Sequence, residues 1–98
     1  MLTVREPVKF IWDRGNIDKN WLKHKISDRE CEEVFFDKNK KIFRDKLHSG
    51  GEERFRIIGN TKEKKLLFIA FTARRGEIRI ISARKINKKE VYLYEKST

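Results

Sequence analysis

Cysteine occurs once in this 98-residue chain, proline once and histidine twice. A lone thiol excludes an internal disulfide framework and a four-thiolate zinc site, and it fits a reducing compartment. His24 and His48 have no partner histidine at i, i+3 or i, i+4, so no metal and no other cofactor is expected. Gly50-Gly51 is too little glycine for a phosphate-cradling loop. No run approaches the roughly 18 apolar residues of a membrane span. Met1-Leu2-Thr3-Val4-Arg5-Glu6-Pro7 lacks the apolar stretch of a secretion signal, so a cytoplasmic protein with no membrane contact is expected. The length leaves room for one domain, residues 1–98, and excludes two.

What is present suffices for a core: hydrophobic residues make up 38% of the chain and aromatics 11%, against 41% charged. A disordered chain is thereby excluded. The net charge is +10, and it is unevenly spread. Residues 1–37 hold seven basic and eight acidic side chains, whereas residues 38–98 hold eighteen and seven. Such clustering costs self-repulsion and points to a polyanion or an acidic protein as partner.

Phe10-Ile11-Trp12 reads as a short strand that ends in the turn formers Asp13-Arg14-Gly15-Asn16. Ile17, Trp21 and Leu22 at helical spacing, with Lys25 opposite, predict an amphipathic first helix that stops at Ile26-Ser27. Ser27-Asp28-Arg29-Glu30 is a capping box that opens a second helix, with Ile26 and Cys31 as its staple and Cys31, Val34 and Phe35 on one face. Cys31 is therefore read as a core thiol. After Asp37 the period becomes 2, predicting strands over 41–44, 53–58, 65–72 and 77–83 with a turn at Gly59-Asn60-Thr61-Lys62. The nearly continuous apolar run Leu66 to Phe71 predicts a central strand covered on both faces. Asn87-Lys88-Lys89-Glu90 is a second capping box and starts a third helix. The order is β-α-α-β-β-β-β-α. It predicts an α+β fold, a mostly antiparallel sheet with two N-terminal helices and one C-terminal helix, all on one face.

These segments resemble the BrnT-type toxins of bacterial type II toxin–antitoxin systems, small ribonucleases with a fold related to the RelE and ParE toxins. The matching stretches are Phe10-Ile11-Trp12-Asp13, Lys23-His24, Val34-Phe35-Phe36-Asp37, His48-Ser49-Gly50-Gly51-Glu52-Glu53-Arg54-Phe55, Ile58-Gly59, Phe71-Thr72, Arg79-Ile80-Ile81-Ser82-Ala83-Arg84, and Glu90 with Tyr94-Glu95. Two positions depart from the family pattern: Lys25 stands where glycine commonly follows the Lys-His pair, and Lys38 where proline often follows the aspartate. The resemblance implies a toxin that cleaves RNA and arrests growth. It also implies a BrnA-like antitoxin whose ribbon-helix-helix dimer bridges two toxins, with operator DNA read only by the antitoxin.

Metal-independent RNA cleavage uses the 2′-hydroxyl as nucleophile and needs a base, cationic donors on the phosphate and an acid for the leaving 5′-oxygen. Arg79, mid-strand between Ile78 and Ile80, is the first phosphate candidate, because an idle guanidinium there is expensive unless paired. Arg84 is the second. By strict alternation it faces away from Arg79, so the two share a face only if the strand ends or bulges near Ser82. The competing reading for both is an ion pair with Glu53 or Glu90. His48 and Glu53 are the candidates for proton transfer, whereas His24 is read as a helix C-terminal residue. Arg54, Ser82, Lys85, Lys88 and Lys89 are the candidates for holding RNA. A non-catalytic basic binding module and a ParE-like inhibitor of a cellular enzyme are the alternatives.

Overall fold

A computed structural model describes residues 9–45 and 53–95. The elements run β1 (Lys9–Ile11), α1 (Lys19–His24), α2 (Asp28–Val34), β2 (Lys41–Asp45), β3 (Arg54–Asn60), β4 (Leu66–Arg74), β5 (Glu77–Lys85), a 3-10 turn (Lys88–Glu90) and α3 (Val91–Glu95). The five strands form one sheet in the order β1-β5-β4-β3-β2. Strands β2 to β5 are an antiparallel meander, and β1 adds to β5 in parallel. The apolar strand β4 lies in the middle, as its composition predicts.

Helix α2 starts as expected: the Glu30 amide donates to Ser27 Oγ at 3.1 Å and the Ser27 amide to Glu30 Oε1 at 3.0 Å. Ile26, Cys31, Val34 and Phe35 pack with Ile57, Leu67, Ile69, Phe71, Ile78 and Ile80 in one core between α2 and the sheet. The phenyl rings of Phe10, Phe35 and Phe71 meet edge to face at centroid distances of 5.2 and 5.0 Å. Strand β3 continues through Gly59 and Asn60, where a turn is predicted, and the chain turns at Thr61 to Lys65 instead. Gly59 stays in the strand because α2 crosses it closely: a Cβ there would lie 2.9 Å from Val34 Cγ1.

Two expectations about the helices fail. Helix α1 turns Asn20 inward and leaves Trp21 and Leu22 exposed, as is Ile17 in the turn before it. The reason lies in β5, whose pairing with β1 ends at Ile11 and Arg79, so that its outer edge runs on without a neighbouring strand. Asparagines take over those backbone groups: Asn16 Nδ2 donates to the Ile80 carbonyl at 3.1 Å, and Asn20 Oδ1 accepts from the Ala83 amide at 2.9 Å. The helices also do not share one face. Glu90 meets Arg84 and Tyr94 meets Asn60, both on the sheet face opposite α2, so the C-terminal turn and α3 cover Ile58 and Phe68 there.

Candidate functional site

The turn after β1 is built around a single guanidinium. Asn16 Oδ1 accepts from the Asp13 amide at 2.8 Å while its Nδ2 also donates to the Ile11 carbonyl at 2.8 Å, which ties the turn to the end of β1. Asp13 Oδ1 accepts from the Gly15 amide at 2.8 Å, the tight Asx geometry expected of Asp-x-Gly. Both carboxylate oxygens of Asp13 then accept from Arg79, Oδ1 from Nη2 at 2.9 Å and Oδ2 from Nη1. Arg79 holds the Asp13 carboxyl below its ordinary value of 3.8, helped by the Gly15 amide. Gly15 has to be small: a Cβ on it would lie 2.6 Å from Arg79 Nη2.

Sheet register brings a second cation to this place. Thr72 on β4 is opposite Arg79 on one side and opposite Arg54 on the other, so the three share a face. With Asn16, Gly15 and Lys19 they line a cavity of about 250 Å³. That is room for roughly eight waters, enough for a phosphodiester group and part of its hydration. Three basic side chains and a hydroxyl, against the one carboxylate of Asp13 that pairs Arg79 beside it, give it the chemistry of an anion site. A larger cavity of about 760 Å³ lies between α2 and the β3–β4 turn, but its lining is of mixed sign and includes Glu32, Glu33 and Asp37. Those carboxylates are engaged: Glu32 with Trp12, Glu33 with the Lys62 amide, Asp37 with Asn60 and Tyr94.

Arg84 does share a face with Arg79. Ala70 pairs with Ser82 and Phe71 with Ile80, so Ile81 is an extra residue that restores the phase of the strand. The two guanidiniums still do not converge, because five residues of strand separate them by roughly 15 Å. Arg84 forms a fork with Glu90, 2.7 Å on each arm, and lies 4.5 Å above the Phe68 ring. This pairing raises Arg84 and lowers Glu90 from their ordinary values. Of the two sequence readings of Arg84, the ion pair with Glu90 is the one present.

Exposed Ser82 lies opposite Ala70, between the two arginines. Lys85, Lys88 and Lys89 are exposed at the Arg84 end, whereas Arg54 stands at the Arg79 end. Glu53 is exposed immediately before β3, and His48 lies outside the described residues. His24 is exposed in the last turn of α1. Cys31 is buried, and burial pushes its thiol up to about 12, as befits a core residue. Among the described residues no three His, Cys, Asp or Glu side chains gather as a metal set, and no helix is long and apolar enough to cross a membrane. Asp13, Lys19 and Thr72 carry no chemistry in the sequence reading. Asp13 and Thr72 lie inside segments quoted there, yet only strand pairing across 66 residues sets Asp13 against Arg79.

A family model described as "Ribonuclease toxin, BrnT, of type II toxin-antitoxin system" matches residues 12–90. No curated protein gives a significant match.

Proposed function

The chain belongs to the BrnT family of ribonuclease toxins of type II toxin–antitoxin systems, and from that membership we propose that it is an endoribonuclease whose scissile phosphate sits against Arg79. The observation that carries this reading is the cavity shared by Arg79, Arg54 and Lys19, with the Thr72 hydroxyl at its wall. A phosphate presents the same two-oxygen edge to a guanidinium as the Asp13 carboxylate, so the nucleotide takes the place that Asp13 fills. The 2′-oxygen attacks phosphorus and loses its proton to a base. The bond to the 5′-oxygen breaks as that oxygen gains a proton, leaving a 2′,3′-cyclic phosphate and a free 5′-hydroxyl.

Positive charge for the transition state comes from three side chains, which is why no metal is required. His48 and Glu53 supply proton transfer in this proposal. Ser82, Lys85, Lys88 and Lys89 extend the basic surface along the sheet for the flanking RNA. Arg84, clamped by Glu90, anchors the C-terminal turn. We assign this activity to a single domain over residues 1–98. The five-stranded sheet, with α2 on one face and α1 along the open edge of β5, supports a RelE/ParE-like fold. In the cell we place the toxin in the cytoplasm, held in check by a BrnA-like antitoxin dimer that bridges two toxins and alone reads operator DNA.

Purified protein incubated with total RNA in EDTA tests the proposal. Cleavage should persist in chelator and its products should end in cyclic phosphate. Arg79→Ala should reduce the rate by on the order of 10²-fold, about 3 kcal/mol of transition-state stabilisation, with unchanged circular dichroism. Activity lost in EDTA and restored by Mg²⁺, or full activity in Arg79→Ala, contradicts it.

A further inference from the structure

Helix α1 is inverted with respect to its own hydrophobic pattern. Asn20 is 3% exposed, whereas Ile17, Trp21 and Leu22 are 48%, 47% and 78% exposed. The inversion is locked, because rotating the helix to hide Trp21 would strip the Ala83 amide of Asn20. Trp21 and Leu22 on the helix and Ile17 in the turn before it thus stand outside within six residues, apolar side chains for a partner to cover. Cations frame them. At 100° per residue, Lys19 and Lys23 flank Leu22 on one side, while Lys25 Nζ lies 5.5 Å over the Trp21 ring on the other. Lys19 is also a wall of the Arg79 cavity, so an occupant of this face reaches the mouth of the site.

We infer that the exposed face of α1 carrying Trp21 and Leu22, with Ile17 in the turn before it, is the docking site for an acidic amphipathic helix of the cognate antitoxin. This rests on the type II reading proposed above and locates the contact that reading requires. Charge and apolarity select the occupant together. Single-stranded RNA satisfies the lysines but leaves Ile17 and Leu22 uncovered. A second copy of the chain, related by a two-fold axis, would bring Lys19, Lys23 and Lys25 against themselves. A helix with apolar residues at i, i+3 and i+4 and Asp or Glu beside them covers the stripe and pairs the lysines. One of its carboxylates at Lys19 competes with phosphate for the cavity, so docking and silencing are the same event.

Calorimetric titration of wild-type toxin, Leu22→Glu, Trp21→Ala and the distant exposed control Tyr92→Ala with the purified antitoxin encoded beside the toxin tests this. Leu22→Glu should weaken the complex at least 100-fold and Trp21→Ala at least 10-fold, with Tyr92→Ala within 3-fold of wild type. The Trp21 emission, isolated by difference against Trp21→Phe, should shift to shorter wavelength in the complex. Equal affinity for all four proteins overturns the inference while leaving the type II reading intact. Failure of the antitoxin to bind wild-type toxin removes that reading and the inference with it. A parallel loss of RNA affinity in Leu22→Glu assigns the face to nucleic acid, and a wild-type dimer that Leu22→Glu dissociates assigns it to a second copy. Either result overturns the proposal.

Discussion

Asp13, Gly15 and Asn16 each make a separate contribution to the position of one guanidinium: an ion pair, an absent side chain and a backbone clamp. Gly15→Ala separates position from charge. The new Cβ meets the flexible tip of Arg79 rather than backbone, so the fold tolerates it while the guanidinium has to move. Cleavage should fall about 10-fold, because displacement by roughly 1 Å is expensive in catalysis, with denaturant stability within about 0.5 kcal/mol of wild type. Wild-type turnover in Gly15→Ala would remove Arg79 from the reaction. Lys25 shows the opposite economy. It ends α1 in the left-handed region at φ 58°, ψ 36°, the conformation that the family's glycine suits, and its amide bonds to the Trp21 carbonyl at 3.0 Å. Lys25→Gly should raise the unfolding free energy by about 0.5 to 1 kcal/mol, the left-handed strain less the added freedom of glycine. Urea titration reads this directly.

At the scale of elements, α1 is held by polar groups and not by its apolar stripe. Asn20→Ala should destabilise the protein by about 2 kcal/mol, because the Ala83 amide loses its partner in a dry place. Leu22→Ala, one residue on, should cost less than about 0.5 kcal/mol in the same urea experiment. Reversal of these two magnitudes would mean that α1 packs through its hydrophobic face after all. The segment after α2 works similarly. Lys38 stands where the family often has proline, yet the turn forms because Asp37 Oδ1 accepts from the Asn39 amide at 2.9 Å.

Asp37 also joins distant parts of the whole molecule. Its Oδ2 accepts from the Asn60 amide at 2.7 Å and from the Tyr94 hydroxyl at 2.7 Å, linking α2, β3 and α3. Burial raises the Asp37 carboxyl, but the Asn60 amide, the Tyr94 hydroxyl and the Asn39 amide together outweigh it and hold the group below 3.8. A depressed carboxylate stabilises the fold fully above its unfolded pKa and loses that contribution as pH falls through the folded one. Stability should therefore be level in this respect above about pH 5 and decline below 3.8. Urea midpoints from pH 6 to pH 2.5 should show the decline, and Asp37→Asn should make it shallower while lowering the plateau, Asp13 and Glu90 supplying the remainder.

The order of elements, the Ser27 capping box, the core position of Cys31 and the central place of β4 were all legible in the amino-acid sequence. Each follows from neighbours within a turn or a pleat, where periodicity and capping chemistry act. Arg79 was legible as a cation that needs a partner, because a charge between isoleucines in a strand stands out locally. Tertiary structure alone decided which face of α1 turns inward, since the orphaned groups of the β5 edge that claim Asn16 and Asn20 lie more than 60 residues away. It also decided that Ile81 bulges, putting Arg84 on the face of Arg79, and that Asp13, Thr72 and Arg54 surround that guanidinium. Hydrophobic periodicity reports how an element is divided into faces. Which face is buried depends on the backbone groups left unpaired elsewhere, and those exist only once the strands have chosen their partners.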